Sequence, residues 1–225
     1  HYPEQQENLE ILQYSSQNLI SLINDILDFN KLEAGKVELE LQPSNVSEVL
    51  QTLVLTHNVH ATQKNIELSC ELDPEIPASL FIDNTRLSQM INNLLSNALK
   101  FTPAAGRIVL RAKLIDQSGK ENRLFIEVED NGIGIPADKV NRVFDTFSQA
   151  ETFITRKYGG SGLGLTISQR ILKLMDSELK VESKEGQGSR FYFELPLTTA
   201  VQDSDEFYFD QDALLDSIVG KRILV

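Results

Sequence analysis

Apolar positions change period several times along this chain, and each change marks an element. From Leu9 they recur as a heptad seam, Leu9, Leu12, Ser16, Leu19, Ile23, Ile26 and Asn30, widened by Ile20 and Leu27. That seam predicts one long helix from about Pro3 to Ala34, with Pro3 suited to the first helical position and Gly35 placed as its stop. A stripe this wide fits a helical bundle better than a two-stranded coil. Val37, Leu39 and Leu41 then alternate as a strand. Pro43-Ser44-Asn45 followed by Glu48 has the form of a capping box for a helix whose apolar positions are Val46, Val49, Leu50 and Leu53. Ile66, Leu68, Cys70 and Leu72 alternate again before the turn Asp73-Pro74-Glu75-Ile76-Pro77.

A second strong helical face follows, made of Leu87, Met90, Ile91, Leu94, Leu95 and Ala98. Ile108 to Lys113 and Arg123 to Glu129 read as a hairpin-like pair around Asp116-Gln117-Ser118-Gly119. Pro136 can open a short helix through Val143, and Leu165, Ile167, Ile171, Leu172, Leu174 and Met175 pattern another. Leu179 to Glu182 and Arg190 to Leu195 supply two more strands. The sum is an α+β chain, a two-layer α/β sandwich with a mixed sheet and helices on one face, preceded by one long bundle-type helix.

Three stretches carry chemistry. Asp130-Asn131-Gly132-Ile133-Gly134-Ile135-Pro136 begins where a strand ends, and its two glycines, lacking Cβ, let backbone approach something flat. Asp130 can accept a hydrogen bond from a ligand amine, or it can simply belong to an Asp-Asn-Gly turn. In Tyr158-Gly159-Gly160-Ser161-Gly162-Leu163-Gly164-Leu165, four glycines precede a helix, which makes either a flexible hinge or a phosphate site built from free N–H groups and the positive helix end. Arg86, Asn93, Asn97 and Lys100 share one stripe of the preceding long helix, read either as a solvated face or as amides and cations aimed at Mg²⁺ and phosphate.

Composition narrows the field. At 225 residues with 41% hydrophobic content the chain can bury a core, and a net charge of -12 argues against nucleic acid as a partner. The single cysteine, Cys70, excludes an internal disulfide and falls on a core face, where it reads as a small hydrophobe rather than a reactive thiol. None of the three histidines has a metal or nucleophile constellation around it: His1 sits at the chain start, and His57 and His60 fall near the apolar face of their helix as half-buried residues. No apolar run is long enough to span a bilayer, so a sensor or membrane part is expected outside this chain. Val201 to Asp216 holds six acids and no base and reads as an acidic linker.

These segments, in this order, resemble the Bergerat ATP-binding fold of sensor histidine kinases. Asn93 to Thr102 resembles the asparagine box, Asp130 to Pro136 the first glycine box, Val143-Phe144-Asp145-Thr146-Phe147 the phenylalanine box, Tyr158 to Leu165 the second glycine box and Gly186-Gln187-Gly188-Ser189 the last. The resemblance runs from about residue 9 to 197. It implies ATP and Mg²⁺ as cofactors, Asp130 reading the adenine amine, Asn97 holding the metal, and the segment between the phenylalanine box and Gly164 acting as a lid. Carried over residue by residue, the implied ATP site comprises Asn93, Asn97, Lys100, Asp130, Gly132, Gly134, Ile135, Phe147, Lys157, Tyr158, Gly160, Ser161, Gly162, Leu163, Gly164 and Ser189.

The resemblance also divides the chain. Residues 1–36 resemble the second helix of the dimerisation and phosphotransfer hairpin, 37–199 the catalytic ATP-binding domain, 200–219 a linker, and 220–225 the start of a receiver domain. No histidine here has the acceptor's surroundings, so the phosphoacceptor is expected on a first helix outside this chain. The implied function is the catalytic portion of a cytoplasmic hybrid histidine kinase. Its implied partners are a second copy through the bundle helix, the acceptor helix, and a receiver domain or response regulator. Two rivals stand beside it: a Bergerat-fold ATPase, which would need a general-base glutamate that the helix from Asn84 to Lys100 lacks, and a nucleotide-gated interaction module without catalysis of its own.

Overall fold

The computed structural model describes residues 3–115, 123–140, 142–145 and 162–197. Helices are α1 (Pro3–Glu33), α2 (Val46–Gln63), α3 (Asn84–Phe101), α4 (Ala137–Val140) and α5 (Gly164–Leu174). Strands are β1 (Gln42–Ser44), β2 (Glu67–Leu72), β3 (Leu80–Ile82), β4 (Arg107–Ile115), β5 (Arg123–Asp130), β6 (Lys180–Lys184) and β7 (Gly188–Pro196). The main sheet has the order β2-β4-β5-β7-β6, with β2 parallel to β4 and every other pair antiparallel. β1 and β3 form a separate two-stranded ribbon.

Alternation along β4, β5 and β7 sends Leu110, Ile126, Phe193 and their neighbours to one face, where they pack with α2, α3 and α5 in a single core. Every position named above for the apolar face of α3 is buried. The opposite face carries a ladder of charge. Arg111 binds Glu127 at 2.9 Å, Glu129 at 2.5 Å and Glu71 at 2.5 Å, while Arg190 binds Glu127 and, at 3.3 Å, Glu182. Tyr192 donates to Glu182 at 2.9 Å and stacks tilted against Phe125.

The caps follow the sequence. Asn45 accepts from the Glu48 N–H and Asp83 from the Arg86 N–H, so each helix start has one free donor satisfied. At the end of α1, Gly35 takes φ +63°, with its N–H on Leu32 O and the Lys36 N–H on Lys31 O, a Schellman stop. The last turns of α1 dock on the rest of the molecule. Phe29 and Leu32 pack on the core, Arg170 of α5 lies 4.3 Å over the Phe29 ring and 3.5 Å from Glu33, and Gln89 of α3 donates to Asp28 at 2.8 Å. The seam residues Leu12, Leu19, Ile23 and Ile26 stay exposed.

Four expectations are corrected. Residues 37–41 are not a strand: pairing with β3 begins at Gln42, and Leu41 is left exposed because no neighbouring strand lies beside it. The helix after Pro136 ends at Val140 rather than Val143, and residues 142–145 form turns. His60 is exposed, since α2 turns it away from the core; His57 is half-buried and its Nε2 is 2.9 Å from Asn92 Oδ1. Leu174, at the end of α5, is also exposed. Cys70 packs against the core as expected, and burial pushes its thiol pKa up. The turn at Asp116 to Gly119, Phe147, Lys157, Tyr158, Gly160, Ser161, the acidic segment and Gly220 to Val225 lie outside the described residues.

Candidate nucleotide site

The site is assembled around α3. Its C-terminal end meets the loop after β5: the Ile133 N–H donates to Phe101 O at 3.2 Å, and a Cβ on Gly132 would collide with that same carbonyl. Its middle meets the start of α5, where a Cβ on Gly164 would run into the Asn93 amide. Two glycine-bearing motifs, 32 residues apart at Gly132 and Gly164, are thus brought to one helix.

Asp130 ends β5 on the core side of the sheet, opposite Ile108 and Ser189. It is only 8% exposed and has no ion-pair partner among the described residues. Its Oδ1 accepts from the Gly132 N–H at 2.8 Å, and the Ser189 N–H also donates to the carboxylate. Burial raises its pKa above the ordinary aspartate value, opposed by these two N–H groups and reinforced by the charge of Glu129. Ser189 is buried beside it, its hydroxyl 2.9 Å from that of Ser183.

The loop from Asp130 to Pro136 is tied to the turn between β6 and β7. Gly186 N–H donates to Ile133 O at 2.7 Å and Ile135 N–H to Ser183 Oγ at 2.8 Å. Gly134 has φ +66° and its missing Cβ would overlap Lys184 O; Gly188 has φ +109° and faces Asp130 O in the same way. The close approach that glycine permits here is therefore to the protein's own backbone. Asn131, whose role the motif does not reveal, continues the sheet by accepting the Arg107 N–H at 2.7 Å and donating its own N–H to Arg107 O.

On α3, the amide stripe divides. Arg86 turns toward Gln89 at 2.9 Å, on the side where Asp28 of α1 docks. Asn93 faces α5, and Asn97 binds Asn93 one turn on: Asn97 Nδ2 donates to Asn93 Oδ1 at 3.3 Å, and Asn93 Nδ2 to Ser168 Oγ at 3.0 Å. Lys100 is half-buried, its Nζ 4.9 Å from the Phe101 ring centre, and burial lowers its pKa. Gly162 has φ +68°, and the buried Leu163 stands at the N-cap of α5, where a leucine offers no oxygen to the first-turn N–H groups. Thr166, one turn on, donates to Phe144 O at 3.1 Å and ties α5 to the residues after α4. Ser168, Ser183 and Thr166 carried no signal in the sequence, because each acquires its role from a partner remote along the chain.

The five-stranded mixed sheet with this helical layer is shared with known proteins. Residues 82–199 match the family of histidine kinase-, DNA gyrase B- and HSP90-like ATPases. The sensor protein GacS of Pseudomonas syringae pv. syringae is 41% identical over 204 residues, which cover 91% of this chain and 22% of that protein. The hybrid signal transduction histidine kinase B of Dictyostelium discoideum is 38% identical over 192 residues, covering 85% of this chain and 10% of that protein. The crystal structure of full-length ShkA in complex with AMPPNP superposes with a TM-score of 0.75 at 34% identity, over 88% of this chain and 40% of that one. The chain thus spans less than a quarter of the length of these two relatives. Since the family match covers more than half of its residues and holds Asp130, the α3 amides and the α5 glycines together, the chain belongs to the histidine kinase-, DNA gyrase B- and HSP90-like ATPase family.

Proposed function

We propose that this chain is the ATP-binding catalytic portion of a hybrid sensor histidine kinase and presents the terminal phosphate of Mg-ATP to a histidine outside it. The observation that carries this reading is the convergence on α3: a buried carboxylate with no cation partner among the described residues at one end, and a paired-amide wall against a glycine-opened helix at the other. Asp130 accepts the adenine amine, and Gly132, Gly134 and Ile135 form the loop beneath it, with Ser189 behind. The first-turn N–H groups of α5 donate to phosphate oxygens, aided by Lys100 and, from the segment outside the described residues, by Lys157, Tyr158, Gly160 and Ser161, while Phe147 is carried over as an apolar member of the ATP site.

Mg²⁺ fits the donor set. Such an ion takes one or two protein oxygens and completes its shell with water and phosphate, and Asn97 Oδ1 is left for that role because Asn97 Nδ2 is committed to Asn93. When bound, the ion neutralises charge on the phosphates. Everything else this chain contributes is positioning: Asp130 orients the base, α3 and α5 fix the phosphate end, and no glutamate in α3 stands ready to activate water. That last feature favours kinase over ATPase. Residues 1–36 act as the second helix of a dimerising hairpin, and the exposed seam of Leu12, Leu19, Ile23 and Ile26 pairs with a second copy and with the acceptor helix. A receiver domain or response regulator takes the phosphate onward, the role toward which residues 220–225 point.

Incubation with radiolabelled ATP tests this. The chain itself should bind nucleotide but neither label nor release phosphate beyond a trace. A longer polypeptide that includes the preceding helix should label in acid-labile, base-stable form. Robust labelling of the present chain would overturn the placement of the acceptor, and brisk phosphate release would favour the ATPase reading.

A further inference from the structure

We infer that Ser183 is a positioning residue for the base pocket: it holds Ser189 as an acceptor toward the base, and so favours an exocyclic amine over a carbonyl at the same position. The inference rests on the reading of Asp130 as the group that receives the adenine amine. Ser183 lies on β6, separated from β5 by β7, and its hydroxyl joins three pieces of the pocket wall. The Ile135 N–H, from the loop after β5, donates to it at 2.8 Å, it donates to Gly188 O at 2.9 Å, and its oxygen is 2.9 Å from that of Ser189.

A serine hydroxyl has one proton and two lone pairs. The Ile135 N–H can only donate and the Gly188 carbonyl can only accept, so the first contact occupies a lone pair of Ser183 and the second its proton. The contact with Ser189 is then a hydrogen bond in one sense alone, with Ser189 donating into the remaining lone pair. The opposite sense would turn the Ser183 proton away from Gly188 O and leave those two oxygens 2.9 Å apart with no hydrogen between them. Every bonding position of Ser183 is filled in this way. The proton of Ser189 is committed, and what its oxygen has left to offer is lone pairs.

Ser189 pairs with Asp130 across β5 and β7, on the core face of the sheet, and its N–H donates to the Asp130 carboxylate. Gly188 is pressed on the same strand end, since a Cβ on it would lie 2.0 Å from Asp130 O. An ionised carboxylate can also only accept. The wall at Asp130 therefore presents two neighbouring acceptors, which suit an amine with its two hydrogens and oppose a carbonyl oxygen. Without the Ser183 hydroxyl, the Ser189 proton is released and can turn toward such a carbonyl.

The readout is the ratio of affinities for Mg-ADP and for Mg-inosine diphosphate, which share ribose and phosphates and differ where the amine stands. Calorimetric titration of the 225-residue chain supplies both. A loss of packing weakens the two nucleotides alike and leaves the ratio unchanged. Ser183→Ala should lower the ratio about threefold to tenfold, the worth of one hydrogen bond. Ser189→Ala alone should lower it to a similar extent, since it removes the second acceptor. In that background Ser183→Ala should change the ratio by less than about twofold, because the residue acts through Ser189.

An unchanged ratio in Ser183→Ala, with Mg-ADP affinity lost in Asp130→Asn, would overturn the inference and leave Asp130 in the pocket. Were Ser183→Ala too unstable to bind either nucleotide, Ser189→Ala decides, and an unchanged ratio there overturns the inference as well. A ratio that Ser183→Ala lowers just as far in the Ser189→Ala background would overturn the route through Ser189. Full Mg-ADP affinity in Asp130→Asn would instead overturn the base pocket, and the inference with it.

Discussion

Glu127 and Asp130 are both buried carboxylates on β5, three residues apart and on opposite faces of the sheet. Burial would raise the pKa of each. At Glu127 that push is outweighed by hydrogen bonds from Arg111 and Arg190, and its pKa falls below the ordinary glutamate value. At Asp130 only backbone N–H groups answer it, and the pKa rises. The first carboxylate is fully partnered by the protein and works for stability. The second keeps acceptor capacity for something else, which is where a buried group contributes to recognition at a cost in folding.

The largest expected effect would break the ladder. Glu127→Ala leaves two guanidinium groups without their shared acceptor and should cost about 2 to 4 kcal/mol in a urea denaturation curve. Nucleotide affinity should stay within about twofold. A matching fall in affinity would show that the two faces are not independent.

Next comes the opposite carboxylate. Asp130→Asn should weaken Mg-ADP binding tenfold to a hundredfold by calorimetry, as expected when a charged acceptor is lost. Its melting temperature should not fall, because the variant removes a desolvated charge that no cation among the described residues offsets. Unchanged affinity would remove Asp130 from the adenine pocket.

Titration with acid should separate the pair by sign. A carboxyl raised on folding binds its proton more tightly in the folded state, so acid relieves the burial penalty at Asp130 but removes the charge proposed to hold the base. Affinity should decline as pH falls through that raised pKa, and Asp130→Asn should lose the decline. A carboxyl lowered on folding adds stability above its unfolded pKa and loses it as pH falls through the folded value. The Glu127 contribution should therefore survive to lower pH than nucleotide binding does. Coincident loss would contradict the contrast.

The smallest effect concerns α1, whose docking uses a third kind of polar contact. Arg170→Ala removes a cation from the Phe29 ring and a partly exposed pair with Glu33, and should cost about 0.5 to 1 kcal/mol. Hydrogen exchange should quicken in the last turns of α1 with no change in Mg-ADP affinity.

Much of this was legible in the residues themselves. Local signals are short-ranged, so the cap at Asn45, the Gly35 stop, the apolar face of α3 and the alternation of β4, β5 and β7 could be read directly. Asp130 could be marked as a site residue because a strand pattern ended on it. Val37 to Leu41 misled for the same reason: alternation reports a preference, and a strand exists only where another strand stands beside it. The sequence by itself therefore determined the elements and the candidate ligands. Which carboxylate would be paired, which backbone the glycines of the loop would meet, and that Asn93 would rest on a serine 75 positions away were decided only by the tertiary structure. Those outcomes depend on burial and on partners distant in sequence, and the energy of a polar group is set by what surrounds it, not by its neighbours along the chain.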